Sequence, residues 1–241
     1  MKNEEFEKYV EKYDMSNPMI DLKYHHTYRV VNYATKIAES ENLSEHDVFL
    51  ATTAALLHDI ARFDQATQFQ TFNDKISFDH GDKGYEILLE NNYIDKYVSK
   101  EEDKDIVLKA VKYHNKKYLE ESLTEHEKLI ACIVRDSDKL DIMDKQCNEI
   151  KDDSKEFNKE AMEEVRNYKL CTNKNVHNDA TAILRCLAFV FDLNFKESFK
   201  QLYTNNIIQR KFDVLRKNVE ENEVIELETI LNNYIKNKIE D

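Results

Sequence analysis

Residues 49–63 read FLATTAALLHDIARF, and this stretch decides how the rest of the chain is interpreted. An apolar run that suits a helix leads into the adjacent pair His58 and Asp59, and the polar residue Arg62 follows shortly after. An imidazole and a carboxylate at the end of a buried helix are costly to desolvate unless a partner compensates them. A divalent metal ion is a common partner for such groups. The stretch therefore predicts a metal-binding pair at a helix end.

Other candidate ligands occur before and after this pair, each in a short motif. The motifs are HTYRV (26–30), HGDKG (80–84), VKYHN (111–115) and RDSDKLD (135–141), which supply His26, His80, His114 and Asp138. His26 begins an apolar stripe that continues at intervals of three or four residues through Val30, Tyr33 or Ala34, and Ile37. This stripe lies on a helix that Asn17 and Pro18 begin. A single histidine on such a stripe is usually a core residue. Only the whole set makes metal binding the better interpretation.

The composition points to an all-α protein. The chain has 241 residues with two glycines and one proline, which leaves little material for hairpins or tight turns. No run of residues is long and apolar enough for a membrane span. Four dispersed cysteines, Cys132, Cys147, Cys171 and Cys186, read as buried small side chains in a reducing cytoplasm. The net charge of −13 disfavours general nucleic-acid binding.

The expected organisation is one domain over residues 1–241, with a metal-binding core at 20–145 and a helical extension at 146–241 that packs on the core. Within the core, residues 62–79 are expected to form a long polar loop, which is either functional or a solvent-exposed linker. Gly81 and Gly84 lie within four residues of His80. They indicate either a close backbone approach at a helix start or packing against a neighbouring helix.

The order His, His-Asp, His, His, Asp resembles the HD-domain superfamily of metal-dependent phosphohydrolases over residues 20–145. The resemblance implies that His26, His58, Asp59 and Asp138 bind one metal ion. It selects Asp138 within RDSDKLD because this aspartate precedes a basic residue and a leucine. In members with two ions, histidines in the order of His80 and His114 complete the second site. The expected fold is an HD-like helical bundle with a helical C-terminal extension.

The chain departs from some subgroups of the superfamily. No GYP tripeptide follows the His-Asp pair, and His114 is followed by an asparagine rather than by a histidine, so the chain does not resemble the cyclic-di-GMP phosphodiesterases. A synthetase domain for alarmone metabolism is not recognisable. The chain looks most like small, uncharacterised bacterial HD-domain proteins.

The donor set favours certain metals. Imidazoles together with carboxylates suit iron, manganese, nickel, cobalt or zinc rather than magnesium or calcium. One or two ions are expected, and Asp59 is placed to bridge two ions through its two oxygens. Such an ion acidifies water and polarises a phosphoryl oxygen. Asp59 is therefore also a catalytic candidate, and Arg29, Arg62 and Lys139 are candidates for a phosphate clamp. Asp136 and Asp141 are candidates for supporting or acid–base roles.

Three functions remain open from the sequence. The leading hypothesis is hydrolysis of a phosphomonoester or phosphodiester of a nucleotide or another small phosphorylated metabolite through a metal-activated water. The second is a mixed-valent di-iron oxygenase, because myo-inositol oxygenase and phosphonate-cleaving HD enzymes use a similar set of histidines and aspartates. The third is a non-catalytic module that binds a nucleotide or a partner protein. The expected partner is a small phosphorylated substrate, with neither nucleic acid nor membrane.

Overall fold

The computed structural model describes residues 3–240, and these residues form helices and no strand. The α-helices are α1 (Glu4–Val10), α2 (Pro18–Ser40), α3 (Glu45–Leu57), α4 (Ala61–Phe69), α5 (His80–Leu89), α6 (Glu101–Tyr113), α7 (Glu125–Lys145), α8 (Lys159–Arg166), α9 (Asp179–Leu187), α10 (Lys196–Thr204), α11 (Ile207–Asn218) and α12 (Glu221–Glu240). Short 3-10 helices cover Glu90–Lys96, Asn173–Asn175 and Ala188–Asp192. The prediction of an all-α fold is confirmed.

Local capping signals begin the helices that carry the candidate ligands. Asn17 accepts a hydrogen bond from the backbone N–H of Met19 at 2.9 Å, and Pro18 is the first residue of α2. Before α7, the Thr124 N–H donates to Glu127 at 2.7 Å and the Glu127 N–H donates to the Thr124 hydroxyl at 3.2 Å. These contacts satisfy N–H groups that have no partner inside the helix. The start of α2 agrees with the sequence prediction, and Thr124 and Glu127 form a capping box before α7.

The described residues divide into two compact units between Asp138 and Lys139, inside α7. In the first unit, α3 packs against both α2 and α6. Its residues Ala51, Ala54 and Ala55 are fully buried. Their small side chains let two helices approach α3 from different sides, which suits a helix that is apolar on all faces. The His-Asp pair at the end of α3 is therefore inside the unit.

The prediction of a continuous loop over residues 62–79 is wrong for its first part. The chain turns at residues 58–60 and then forms α4, Ala61–Phe69, which packs against α2 and α5. Ala61, Phe63 and Ala66 are fully buried. The segment is too short for its apolar pattern to identify a helix from the sequence. It is nevertheless long enough for a short helix to bury one face. Residues 70–79 form the remaining connection.

In the second unit, α11 packs against α9, α10 and α12. Its Lys211 is fully buried and donates hydrogen bonds to the carbonyl oxygens of Gln146 at 2.6 Å and Cys147 at 3.1 Å, so a cation closes the C-terminal end of α7. The charged segment before this unit's core predicts a helix around residues 154–170, and the structure forms a shorter one, Lys159–Arg166. One domain over 1–241, with the extension packing on the core, stays a prediction.

Among residues 3–240, no helix combines the length and the apolar character that a bilayer span requires.

Candidate metal centre

Helix ends position most of the candidate ligands. His58 follows the last residue of α3, His114 follows the last residue of α6, and His80 is the first residue of α5. The remaining candidates lie within helices, His26 in α2 and Asp138 in α7. The structure brings all six predicted ligands together in three overlapping groups, in each of which the ligand atoms lie within 4.8 Å of one another. The groups are His26, His58 and Asp59; His58, His114 and Asp138; and Asp59, His80 and His114.

Backbone contacts set the protonation of two of the rings. The Nδ1 of His58 lies 2.6 Å from the carbonyl oxygen of Ala55, and the Nδ1 of His114 lies 2.7 Å from that of Val111. Because a carbonyl oxygen only accepts hydrogen bonds, each Nδ1 carries a proton and donates it. In the neutral ring the Nε2 atom then presents a lone pair, the form that binds a metal.

The four imidazoles form two pairs. The Nε2 atoms of His26 and His58 are 3.3 Å apart, and those of His80 and His114 are 3.0 Å apart. The His80 ring is oriented by Asp74, whose Oδ2 lies 2.6 Å from its Nδ1. A carboxylate behind a histidine in this way is the usual support of a metal ligand.

Asp59 lies between the two pairs and directs one oxygen at each. Its Oδ2 is 3.3 Å from the Nε2 of His26 and 3.4 Å from that of His58. Its Oδ1 is 3.7 Å from the Nε2 of His80 and 3.8 Å from that of His114. We call His26, His58, Asp138 and Oδ2 the first half-site, and His80, His114 and Oδ1 the second. The geometry suits a carboxylate that bridges two ions.

Asp138 completes the first half-site. Its Oδ1 lies 3.1 Å from the Nε2 of His26 and 3.8 Å from that of His58. Four imidazole nitrogens and two carboxylates thus converge in a mostly buried space. Neighbouring lone pairs repel one another unless a cation lies among them, and nitrogen and oxygen donors of this kind suit a divalent transition metal. The residues present therefore fit one or two such ions.

The charges of the centre match this role. Burial alone would raise the pKa of Asp59, but Lys23 and the neighbouring histidines hold it well below its usual range. Burial likewise opposes ionisation of Asp138, yet contact with His26 keeps its pKa low. Burial lowers the pKa of His114 to about 4, assisted by His80 and His58 and opposed by Asp59. Both carboxylates are charged and His114 is neutral at pH 7, as metal binding requires.

Arg62 connects the centre to residues 70–79. Its NH1 donates to the carbonyl oxygen of Phe72 at 2.8 Å and to Asp74 Oδ1 at 2.9 Å, and its NH2 lies 3.2 Å from His80 Nε2. Its buried Nε has no hydrogen-bond partner and lies 3.4 Å from Asp59 Oδ1. The predicted clamp residue thus lies at the second half-site, where much of its hydrogen bonding anchors the segment that follows α4.

Lys23 is a residue of this centre that the sequence interpretation missed. It is buried on α2, one turn before His26, and its Nζ lies 2.6 Å from Asp59 Oδ2. The sequence contains a signal for Lys23, because Lys23 is three residues before His26 and lies on the same helix stripe as His26 and Val30. A lysine in register with a buried stripe needs a buried partner.

The other two clamp candidates have different surroundings. Arg29 is half-buried on α2, one turn after His26. Lys139 lies in the second unit, where its Nζ is 2.9 Å from Asp192 Oδ2. Asp136 and Asp141 are both buried. Phosphate-clamp roles for Arg29, Arg62 and Lys139 stay predictions, as do supporting roles for the two aspartates.

The comparisons with known proteins agree with this geometry. The family model described as HD domain matches residues 24–143, which include all six candidate ligands. No curated protein and no solved structure matches the chain.

Proposed function

The chain belongs to the HD-domain superfamily, and from this premise we propose that it is a metal-dependent phosphohydrolase. The proposed reaction is hydrolysis of a phosphomonoester or phosphodiester of a nucleotide or another small phosphorylated metabolite. The observation that carries the proposal is the convergence of four imidazoles and two carboxylates on one buried space. A bound cation would satisfy the ring nitrogens and carboxylate oxygens that face one another across this space.

The residues that would hold metal are those of the two half-sites, with Asp59 shared. A divalent ion bound there supplies an acidified water and a Lewis acid for the phosphoryl group. Asp59 holds the two half-sites in register, since each of its oxygens faces a different pair of histidines. Asp74 keeps a proton on His80 Nδ1 and so directs the other ring nitrogen inward. We place iron, manganese, nickel, cobalt and zinc among the ions that fit.

The charge distribution supports a small phosphate ester as the substrate. A net charge of −13 repels polyanions at long range, so an anionic substrate needs a local cation. Lys23 and Arg62 lie against Asp59 at the centre, and Arg29 lies one turn from His26. Such cations suit a small phosphate ester better than a nucleic acid, which needs a long positive surface. We also propose a cytoplasmic location, because the four cysteines are free thiols.

The test combines metal analysis with hydrolysis. Protein purified without added metal or chelator is analysed for bound metal, and its activity is measured on p-nitrophenyl phosphate, bis-p-nitrophenyl phosphate and a panel of nucleotides. The expected result is one or two equivalents of metal and hydrolysis of at least one ester. Asp59→Ala loses both, because the shared ligand is gone.

A matched pair of histidines provides the control. His26→Ala removes a ligand of the first half-site, whereas the neighbouring His25 is exposed and its Nε2 lies 3.3 Å from Asp21. His25→Ala therefore keeps metal and activity. Iron in both half-sites with oxygen consumption would favour the oxygenase instead. Absence of metal after reconstitution would refute both enzymatic functions.

A further inference from the structure

Lys23 makes an unusual contact for a lysine beside a metal centre. Its side chain is 9 % exposed, and its Nζ lies 2.6 Å from Asp59 Oδ2. Lysine is rarely buried unless it is paired, since its ammonium group is strongly hydrated in water. The contact therefore compensates two buried charges, one on each partner.

The oxygen that Lys23 contacts is the oxygen of the first half-site. Asp59 Oδ2 is also 3.3 Å from His26 Nε2 and 3.4 Å from His58 Nε2. A divalent ion bound by these two histidines would draw on the same oxygen. Lys23 and that ion are both cations, so the ammonium withdraws charge from the oxygen and repels the ion at short range.

An aromatic ring holds the ammonium in place. Lys23 Nζ lies 5.1 Å from the centre of the Phe72 ring, and the Arg62 guanidinium lies 5.5 Å from the same centre. The Phe72 carbonyl accepts the hydrogen bond from Arg62, so the ring is anchored over both cations. A cation against an aromatic face is attracted to it, most strongly where water is excluded.

The second half-site differs in its balance of charge. Arg62 lies 3.4 Å from Asp59 Oδ1, but Asp74 is a second carboxylate 2.9 Å from the same guanidinium. Lys23 pairs closely with Asp59 Oδ2 itself, at 2.6 Å, whereas the closer carboxylate of Arg62 is Asp74. At the first half-site, Lys23 offsets the charge of a candidate ligand, Asp59. At the second, the charge of Arg62 is offset mainly by Asp74, which is not a candidate ligand.

We propose that Lys23 is a positioning residue that neutralises Asp59 Oδ2 in the metal-free protein and weakens metal binding at the first half-site. The half-site then keeps its four protein ligands but holds its ion less tightly than they would alone. The contact between Lys23 and Asp59 thus lets the chain fold without metal, and it also lets a bound ion exchange. The inference rests on the metal centre of the proposed function and concerns its affinity rather than its reaction.

The experiment measures Mn²⁺ binding and thermal unfolding of the metal-free full chain, without substrate. Lys23→Met is compared with the wild type, with Lys23→Arg, and with Lys36→Met as an equal loss of charge further along α2. Lys23→Met is expected to bind Mn²⁺ at one site at least tenfold more tightly while its metal-free form unfolds at a lower temperature. Lys23→Arg and Lys36→Met stay close to the wild type.

These opposite shifts distinguish the proposal from a purely structural role, which would lower stability and affinity together. Adding His26→Ala to Lys23→Met is expected to remove the gain in affinity, which assigns it to the first half-site. Unchanged or weaker Mn²⁺ binding by Lys23→Met overturns the inference. If that variant does not fold, Lys23→Gln provides the same comparison. A wild type that binds no metal overturns the proposed function as well, whereas normal metal and hydrolysis with unchanged Lys23→Met affinity overturns only the role of Lys23.

Discussion

His58 and His114 make the same hydrogen bond to the backbone at the C-terminal ends of two helices. Each ring uses the Nδ1 proton to satisfy a carbonyl three residues earlier, Ala55 for one and Val111 for the other. The last carbonyls of a helix have no partner inside it. A histidine at this position both closes its helix and directs the opposite ring nitrogen inward. The ligand geometry is thus a consequence of helix termination.

Gly81 lies next to His80 of the second half-site and leaves little space for a side chain. A Cβ there would lie 2.4 Å from Asn115 Oδ1 and 2.7 Å from the Lys112 carbonyl oxygen. Since the carbonyl is backbone, α5 must move away from α6, and His80 moves with it. Gly81→Ala is expected to destabilise the protein by about 1–3 kcal/mol, as overpacking does, and to weaken Mn²⁺ binding. Urea unfolding and a Mn²⁺ titration measure the two effects.

Gly84→Ala is the control for this prediction. A Cβ at Gly84 would lie 3.1 Å from Val111 Cγ1, which is a longer contact than those at Gly81 and involves a side chain rather than the backbone. Its effect on both measurements should be the smaller one. Equal effects of the two substitutions would show that contact with the Lys112 backbone does not limit the approach of α5 to α6.

Cys147 is expected to be a more reactive thiol than Cys171. A hydrogen bond from Cys186, opposed by burial and aided by Lys211, lowers the pKa of Cys147 to about 6, whereas burial raises that of Cys171 to about 12. Because the thiolate is the nucleophile, Cys147 is charged above pH 6 and reacts at pH 7, while Cys171 does not. Mass spectrometry of iodoacetamide-labelled peptides between pH 5 and pH 9 measures this difference.

Removing the hydrogen-bond donor checks the cause. Cys186→Ala should shift the midpoint of Cys147 labelling to higher pH, because the thiolate loses the contact that stabilises it most. A midpoint near the ordinary thiol pKa of about 8.5 in the wild type would contradict the prediction.

At the scale of elements, the connection between α4 and α5 is organised by one carboxylate. Asp74 contacts Arg62 through Oδ1 at 2.9 Å and His80 through Oδ2 at 2.6 Å. These contacts, with burial opposing them, hold the pKa of Asp74 well below its usual range. The segment therefore supports the second half-site rather than serving as a linker.

Asp74→Asn tests this support. The amide keeps the size of the side chain but removes the charge behind His80, and loss of such a support usually weakens metal affinity about 10- to 100-fold. A Mn²⁺ titration should show weaker binding at one site, with the other less affected. Asp82→Asn is the control, since Asp82 lies on α5 with His80 but pairs with Lys116 at 2.8 Å. Uniform weakening by both variants would argue against a specific role.

At the scale of the whole molecule, the metal centre links folding to metal concentration. The candidate ligands come from α2, α5 and α7 and from the residues that follow α3 and α6, so an ion that binds them would stabilise the folded chain over the unfolded one. At a metal concentration 100 times Kd, one site contributes about 2.7 kcal/mol. Urea unfolding with Mn²⁺ and with EDTA should differ by about this amount per site.

Asp59→Ala separates this linkage from nonspecific effects of the cation. The variant lacks the ligand common to both half-sites and is expected to show no difference between Mn²⁺ and EDTA, while His25→Ala retains it. A chain of net charge −13 attracts divalent ions generally, so an equal shift in Asp59→Ala would assign the stabilisation to surface charge.

The all-α class, the start of α2 and the six candidate ligands are predictable from the amino-acid sequence alone. These features depend on local chemistry. A cap needs residues within one turn, as with Asn17 and Thr124, and a buried stripe repeats every three or four residues. Ligand types are visible because histidine and aspartate are costly to bury alone.

The contacts between these residues depend on the tertiary structure. The pairing of His26 with His58 and of His80 with His114 joins residues more than thirty positions apart. A sequence stripe shows which face of a helix is buried, but it does not show which atom of a neighbouring helix lies opposite. The contact of Lys23 with Asp59, the two-sided placement of Asp59 and the short helix α4 all depend on such nonlocal packing, and so they emerge only when the chain is folded.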